Sequence, residues 1–268
     1  MKPDQYVVMG NPIQHSKSPQ LHGDFATTTG ENIEYRHMLV PLGDFAKTAR
    51  AFFDQGGSGA NVTVPFKLDA LAFADHASEA AQLAGAANTL KKTDKGIYAD
   101  NTDGVGCLRD ITVNWGVTVE KRKVLIIGAG GAVRGLLPAL MAHNPSQISI
   151  VNRTFEKAQA LAGEFSSPTL NAIKTTELTE PYDVLINCSA AGLSGDTLAL
   201  PDTAFHADTH CYDMVYGDDL TPFQRWAADR QLAHRAGFGM LVEQAAEAFQ
   251  LWRGVRPATA HLLTGAQP

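Results

Sequence analysis

The stretch "KVLIIGAGGAVRGLLPALMAH", residues 123–143, constrains the fold more than any other part of the chain. Lys123–Ile127 reads as a buried strand. A Gly-rich turn follows over Gly128, Ala129, Gly130, Gly131 and Ala132, and then a helix through His143. The turn supplies the first two glycines of GxGxxG and has Val133 at the sixth position. A bare glycine pattern is weak. This one follows a strand and opens a helix, the setting in which backbone N–H groups and the helix dipole cradle a diphosphate. A plain tight turn is the competing reading.

The end of the next strand, "ISIVNRT", bears on which dinucleotide. An NAD site wants an acid there to accept from the ribose hydroxyls. This chain has Asn152-Arg153-Thr154, with Lys157 one turn on. A guanidinium at that point pairs with a 2′-phosphate, so the sequence reads as NADP(H) over NAD. "YDVLINCSAAG" and "HCYDMVYG" are two further strands, each ending in a polar loop. Together these elements form an α/β unit over residues 105–237, expected to be a Rossmann-type NADP-binding domain.

Residues 1–104 repeat the strand, loop, helix rhythm. Tyr6–Met9, Tyr35–Val40 and Asn61–Val64 read as strands, Pro19–Thr28 and Leu42–Gln55 as helical stretches. Short apolar strands alternating with helices imply a mainly parallel sheet. The last segment, "GFGMLVEQAAEAFQLWRG", reads as an amphipathic helix with Glu243, Glu247 and Gln250 as its solvent stripe. Gln244 sits off that stripe and needs partners for its amide.

Four polar stretches fall at predicted strand ends: "HSKSP" (Ser16, Ser18), "NVTVPFK" (Asn61, Thr63, Lys67), "AANTL" (Asn88, Thr89) and "DNTDG" (Asn101, Thr102, Asp103). Ligands of open α/β sheets bind beyond the carboxyl ends of the strands. Hydroxyls, amides, one cation and one carboxylate suit a small polyol carrying an acid group. Each stretch also has a plainer reading. Ser16 could cap the helix near Pro19, and "NTDG" could be only a turn.

The order "GNPIQHSKSP", "NVTVPFK", "GAANTL", "DNTDGVG", "GAGGAVRG", "NRT", "YDMVYGDDLTPF", "GMLVEQAA" resembles the successive motifs of the shikimate dehydrogenase family and spans nearly the whole chain. The resemblance implies two α/β domains around a cleft, with the final helix returning to the first. Residues 1–104 with 238–268 would then form a discontinuous substrate-binding domain. It implies reduction of 3-dehydroshikimate to shikimate with NADPH, on the way to aromatic amino acids. Ser16 and Ser18 would hold the substrate carboxylate. Asn61, Thr63, Asn88, Asp103 and Gln244 would bind the ring hydroxyls and carbonyl region, and Lys67 with Asp103 would be the catalytic pair. Gly128 to Ala132 would hold the diphosphate, and Asn152, Arg153 and Thr154 the 2′-phosphate, with Met214 and Gly237 also at the cofactor. The chain departs from the family pattern at Gly23, at Ala236 and at Cys188, where Thr is common and where a buried small residue is expected. A related reading is a quinate/shikimate dehydrogenase, which often uses NAD. Arg153 speaks against NAD, and the resemblance suggests that Ser18, rather than Thr, marks shikimate. A non-catalytic NADP-binding sensor is a further reading, opposed by intact Lys67 and Asp103.

Composition excludes other classes. The chain has 268 residues, 44% apolar, with a formal net charge of -6. That balance argues against a nucleic-acid or anionic-membrane surface. Cys107, Cys188 and Cys211 form no CxxC, which fits a reducing cytoplasm. No stretch reaches the roughly 18 apolar residues of a membrane span. "HADTHC" (His206, Asp208, His210, Cys211) lacks a second cluster to complete a metal site, so none is expected. A monomer or homodimer binding one small-molecule substrate is the expected assembly.

Overall fold

A computed structural model describes residues 2–189 and 199–263. The chain divides into two compact units. One runs to Gly106 and resumes at Val242; the other spans Cys107–Leu241.

In the first unit the elements are β1 (Asp4–Gly10), α1 (Ser18–Thr29), β2 (Ile33–Leu39), α2 (Phe45–Asp54), β3 (Gly57–Val62), α3 (Lys67–Phe73), β4 (His76–Ala77), α4 (Glu79–Ala84), β5 (Thr89–Thr93), β6 (Gly96–Asp100) and the start of α5 (Asp103–Arg109). The six strands lie in the order β2-β1-β3-β5-β6-β4. All share one direction except β5, which is antiparallel to both neighbours. The reversal comes from the tight β5–β6 connection, where Gly96 takes φ 109°, open to glycine at little cost. Its consequence is functional. The start of β5 lies at the same sheet edge as the ends of β3 and β6, with Thr89 opposite both Asn61 and Asp100.

The second unit carries β7 (Lys123–Ile127), α6 (Gly131–Ala142), β8 (Gln147–Val151), α7 (Phe155–Phe165), β9 (Leu170–Ala172), β10 (Val184–Asn187), β11 (His210–Asp213), α8 (Pro222–Ala228), β12 (Ala233–Ala236) and the start of α9 (Phe238–Arg253). Its six strands run β12-β11-β10-β7-β8-β9, all parallel. This is the doubly wound order that turns direction beside the first strand. Strand side chains alternate between faces. Val124, Ile126, Ile148, Ile150, Val184 and Ile186 enter one core, while Leu125, Ile127, Val151 and Leu185 enter another. Burial on both faces explains why these strands read as unbroken apolar runs.

Two expectations need correction. The predicted strand Asn61–Val64 ends at Val62 and begins at Gly57. The chain leaves the sheet before Pro65, and Val64 is exposed rather than buried. The solvent stripe of the last helix also fails at its first member. Glu243 is 0% exposed. The segment after α9 folds back along it, so that Arg256 Nη2 reaches Glu243 Oε2 at 2.7 Å and Thr259 donates to Oε1 at 2.7 Å. A buried carboxylate persists where it is paired and hydrogen-bonded, and helical periodicity cannot see a partner supplied from beyond the helix. Glu247 and Gln250 are half-buried and exposed.

The return of α9 to the first unit is fastened at its far end. Arg253 donates to Glu31 at 2.7 Å and to Asp4 at 2.6 Å, and Trp252 donates to Leu90 O at 3.0 Å. His22, on α1, is fully buried against Tyr35, Phe25, Phe249 and Trp252. Burial pushes its imidazole down to about 3, with the neighbouring Asn61 side chain acting the other way. Between that value and the ordinary 6.5 the unfolded chain binds the extra proton, so stability falls as pH falls through this window. We expect His22→Phe to flatten the decline of Tm between about pH 6.5 and pH 4, measured against the unaltered chain at the same pH values. An unchanged slope would show that His22 does not set it.

Among the described residues no helix is long and apolar enough to cross a membrane.

Candidate active site

The polar stretches of the first unit converge because of the reversed strand. Asn88 is gripped on both sides by backbone bonds, accepting from Val62 N–H at 2.8 Å and donating to Asp100 O at 3.1 Å. Its side chain is 2% exposed and forms a hub. Nδ2 lies 2.9 Å from Asp103 Oδ1, 2.9 Å from Gln244 Oε1 and 3.0 Å from Thr102 Oγ1. Oδ1 accepts from the Thr102 backbone and from Thr89 Oγ1, each at 2.9 Å. The Gln244 amide presents its oxygen to Asn88. Its Nε2 then points away from Asn88 Nδ2.

Lys67 opens α3, and its carbonyl accepts from Ala87 N–H at 2.9 Å, which ties it to the Asn88 segment. Its Nζ donates to Asp103 Oδ2 at 2.5 Å, with side-chain exposures of 32% and 12%. Asp103 therefore has one oxygen on Asn88 and the other on Lys67. A carboxylate held at both oxygens cannot turn, so the ammonium is aimed. The pair is neither a free surface contact nor a sealed one. Lys67 is half-buried, and Asp103 is buried beneath it.

Asn61, at the end of β3, accepts from Tyr35 Oη at 2.8 Å and donates to Asn88 O at 3.2 Å and Thr89 Oγ1 at 3.1 Å. Ser16 donates from Oγ to Ser18 Oγ at 3.1 Å and accepts from the Ser18 N–H at 3.3 Å. The cap position of α1 is Lys17, without a side-chain cap, so Ser16 stands one residue before it and braces the first turn. His37 Nε2 meets the Ser16 carbonyl at 2.9 Å. Thr63 stands apart from this network. Its methyl covers Gly10, where a Cβ would come within 2.6 Å.

The second unit holds the other predicted set at the carboxyl edge of its sheet. Gly128 takes φ 116°, and a Cβ on it would come within 3.3 Å of the Cys188–Ser189 backbone at the end of β10. Its glycine is explained by conformation and packing. Gly130 and Gly131 are not. Neither has positive φ, and a Cβ on either would meet no heavy atom within 4 Å. What side chains there would obstruct is approach to the N–H groups that open α6. That is a fit to an incoming diphosphate.

The Gly128 N–H donates to Val151 O at 2.8 Å, which sets the turn beside the end of β8. Asn152 Nδ2 donates to Thr154 O at 2.8 Å and shapes the next turn. Arg153, Thr154 and Lys157 are exposed, and neither cation is paired with an acid among the described residues. Gly237 is forced by packing, since a Cβ would come within 2.4 Å of Met214 O. Met214 is half-buried against the core. Cys188 is half-buried rather than fully so, and burial raises its thiol above the ordinary range. Among the described residues no group of three or more His, Cys, Asp or Glu could hold a metal.

Sequence reading missed three supports. Tyr35 reads as an ordinary strand aromatic, and nothing in its surroundings marks its hydroxyl. Asp213 is buried and held by Asn187, Thr221 and the Val215 N–H. Burial raises its carboxyl, while those hydrogen bonds act the other way. Asp110, also buried, takes Tyr212 and Arg235, both at 2.8 Å. Neither acid lies in a pattern that separates a structural role from a solvent-facing one.

Comparison with known proteins bears on all of this. Residues 8–90 match the family profile described as the shikimate dehydrogenase substrate binding domain. Residues 112–194 match that of shikimate / quinate 5-dehydrogenase, and residues 237–262 that of the shikimate 5'-dehydrogenase C-terminal domain. The chain is 50% identical to a shikimate dehydrogenase (NADP(+)) of Alkalilimnicola ehrlichii, covering 99% of each chain. It is similar to an Ael1 enzyme from Pseudomonas putida, with 43% identity and TM-score 0.92 over 99% of this chain and 98% of the other. It is also similar to a shikimate 5-dehydrogenase from Thermus thermophilus solved in complex with NADP(H) and shikimate. There the identity is 31% and the TM-score 0.86 over 96% of each chain.

Proposed function

Since the chain belongs to the shikimate dehydrogenase family, we propose that it reduces 3-dehydroshikimate reversibly to shikimate with NADPH, on the route to aromatic amino acids. We place this activity in the cytoplasm, in keeping with three free cysteines. The first unit is the substrate domain and the second the NADP domain. The observation that carries the reading is the Lys67–Asp103 pair at 2.5 Å, set in the Asn88–Gln244 network.

NADPH, when bound, supplies the hydride. The ring carbonyl oxygen gains negative charge and must receive a proton. Lys67 is the donor, and Asp103 keeps its ammonium aimed at that oxygen. Gln244, whose oxygen faces Asn88, offers its Nε2 to a ring hydroxyl. Asn88, through Asp103 and Gln244, orients both. Asn61 and Thr63 complete the ring contacts. Ser16 and Ser18 hold the carboxylate through their hydroxyls, which bond each other in this structure. Gly128 to Ala132 would hold the diphosphate, Asn152, Arg153, Thr154 and Lys157 the 2′-phosphate, with Met214 and Gly237 also at the cofactor.

The test is an absorbance assay of reduced nicotinamide with shikimate and quinate, each offered NADP and NAD. We expect the shikimate–NADP pair to be fastest. Comparable quinate–NAD turnover would favour a broader quinate/shikimate enzyme, and no turnover of any pair would favour a sensor.

The serines make a separate prediction. A hydrogen bond to a charged acceptor contributes about 1.5–3 kcal/mol, but each serine leaves its neighbour in place. Ser16→Ala and Ser18→Ala should each raise KM for shikimate by about tenfold, with KM for NADP little changed. If Ser16 only braces α1, its loss will show in Tm while KM stays put.

A further inference from the structure

Gly106 stands within one turn of Asp103 on α5, and its backbone does not take a positive φ. Nothing in its conformation asks for glycine, and a glycine inside a helix is less stable there than alanine. What asks for it is α9. A Cβ on Gly106 would come within 2.6 Å of Gln244 N, 2.8 Å of Gln244 Cβ and 2.9 Å of Gln244 Cα. The two helices touch at this point, backbone against backbone. Beside the contact, Thr102 Oγ1 donates to Gln244 O at 3.1 Å, and the Gly106 N–H donates to Thr102 O at 3.0 Å. The start of α5 thus seats Gln244 twice, by a hydrogen bond and by the absence of a side chain.

We propose that Gly106 is a positioning residue for the reaction. By letting α9 lie against the turn that carries Asp103, it sets the distance between Gln244 and the Lys67–Asp103 pair. All of these residues belong to the first unit. The inference rests on the functional reading above, since it needs Gln244 to meet the substrate.

The Asn88 hub shows why that distance matters. Its Nδ2 lies 2.9 Å from both Asp103 Oδ1 and Gln244 Oε1. One amide nitrogen spans the two only while the helices that carry them stay in contact. The α5 side is the firmer. The Thr102 N–H is held by Asn88 Oδ1 at 2.9 Å, the Asp103 N–H by Asn101 Oδ1 at 3.1 Å, and Asn101 Nδ2 by Ala86 O at 3.0 Å. On α9, bonds to β5 lie further along the helix, where Lys91 Nζ donates to Leu251 O at 2.6 Å and Trp252 donates to Leu90 O at 3.0 Å. They fall about two turns beyond Gln244. A methyl group on Gly106 therefore displaces α9 at Gln244 and leaves Asp103 on Lys67.

The experiment is a double-mutant cycle between Gly106→Ala and Gln244→Ala, read as KM for shikimate and for NADP, because KM does not depend on the active fraction of a preparation. We expect Gly106→Ala to raise KM for shikimate about tenfold, with kcat within about threefold and KM for NADP within about twofold of the unaltered chain. Gln244→Ala should raise KM for shikimate at least as much. Once the Gln244 amide is gone its placement no longer counts, so adding Gly106→Ala to Gln244→Ala should change KM by no more than about twofold. A glycine needed only for packing would lower Tm and act equally in both backgrounds. Equal rises in the two backgrounds, or a rise under about threefold in the single variant, overturn the proposal. If Gly106→Ala yields no folded protein, Thr102→Val takes its place in the cycle, with the same expected and overturning results. It removes the bond to Gln244 O, while Asn88 keeps Asp103, Thr89 and the Thr102 N–H. An unchanged KM for shikimate in Gln244→Ala would overturn the proposal through Gln244. Absence of shikimate turnover by the unaltered chain would refute the functional reading on which it rests.

Discussion

Lys67→Met is expected to lower kcat for shikimate oxidation by roughly 10²–10⁴, the span attributed to one general acid or base. Methionine keeps an unbranched stem and removes only the ammonium. A surface lysine would not behave so, because an exposed ion pair contributes about 0–1 kcal/mol. Lys67 differs from a surface lysine in being aimed. Its partner Asp103 is held at its second oxygen by Asn88, and Asn88 is held by strands on both sides. The loss should fall on the transition state, where the oxygen carries charge, and far less on binding. Affinities for shikimate and NADP, measured by fluorescence titration, should therefore change little. Tm should also change little, as Asp103 keeps its Asn88 bond. A variant with near-normal kcat and a raised KM would make Lys67 a binding residue only, and Asp103 would be the next candidate for the acid.

The parts of this protein that could be read from sequence are those carried by short, local patterns. Lys123–Ile127 and the turn after it are one such pattern, and the strand has the predicted bounds. Lys67, Asn88 and Asp103 could be singled out because each stands in a polar cluster near a predicted strand end. Their mutual arrangement could not. It depends on the reversal of β5, which brings the start of one strand to the ends of two others. Glu243 shows the limit most directly. Its spacing on α9 matches a solvent stripe, but Arg256 and Thr259 return to bury it. Tyr35 shows another. A tyrosine on a strand gives no sign of what its hydroxyl meets when the partner, Asn61, is two strands away in the sheet order β2-β1-β3. Residues whose roles rest on contacts distant in sequence stay silent until the sheet is assembled.

Arg153→Ala is expected to raise KM for NADP about tenfold to a hundredfold and to leave KM for NAD nearly unchanged. The magnitude is that of one charge-assisted contact to phosphate, about 1.5–3 kcal/mol. We propose Arg153 for this part over its neighbours. Asn152 follows β8 where an NAD site would carry an acid, but it is uncharged and one Nδ2 hydrogen goes to Thr154 O. Lys157 lies in the first turn of α7 and is exposed, so it supplies a more diffuse charge than a planar guanidinium able to grip two oxygens. Arg153→Lys should thus recover only part of the loss. Arg153→Asp should go further than alanine, because a carboxylate would repel the 2′-phosphate and accept from a ribose hydroxyl, moving preference toward NAD. Ionic strength gives an independent check. The contact is exposed, so salt should raise KM for NADP in the unaltered chain more than in Arg153→Ala. Equal changes in KM for the two cofactors on loss of Arg153 would remove it from the phosphate site and leave the cofactor choice to Lys157 and the turn around Thr154.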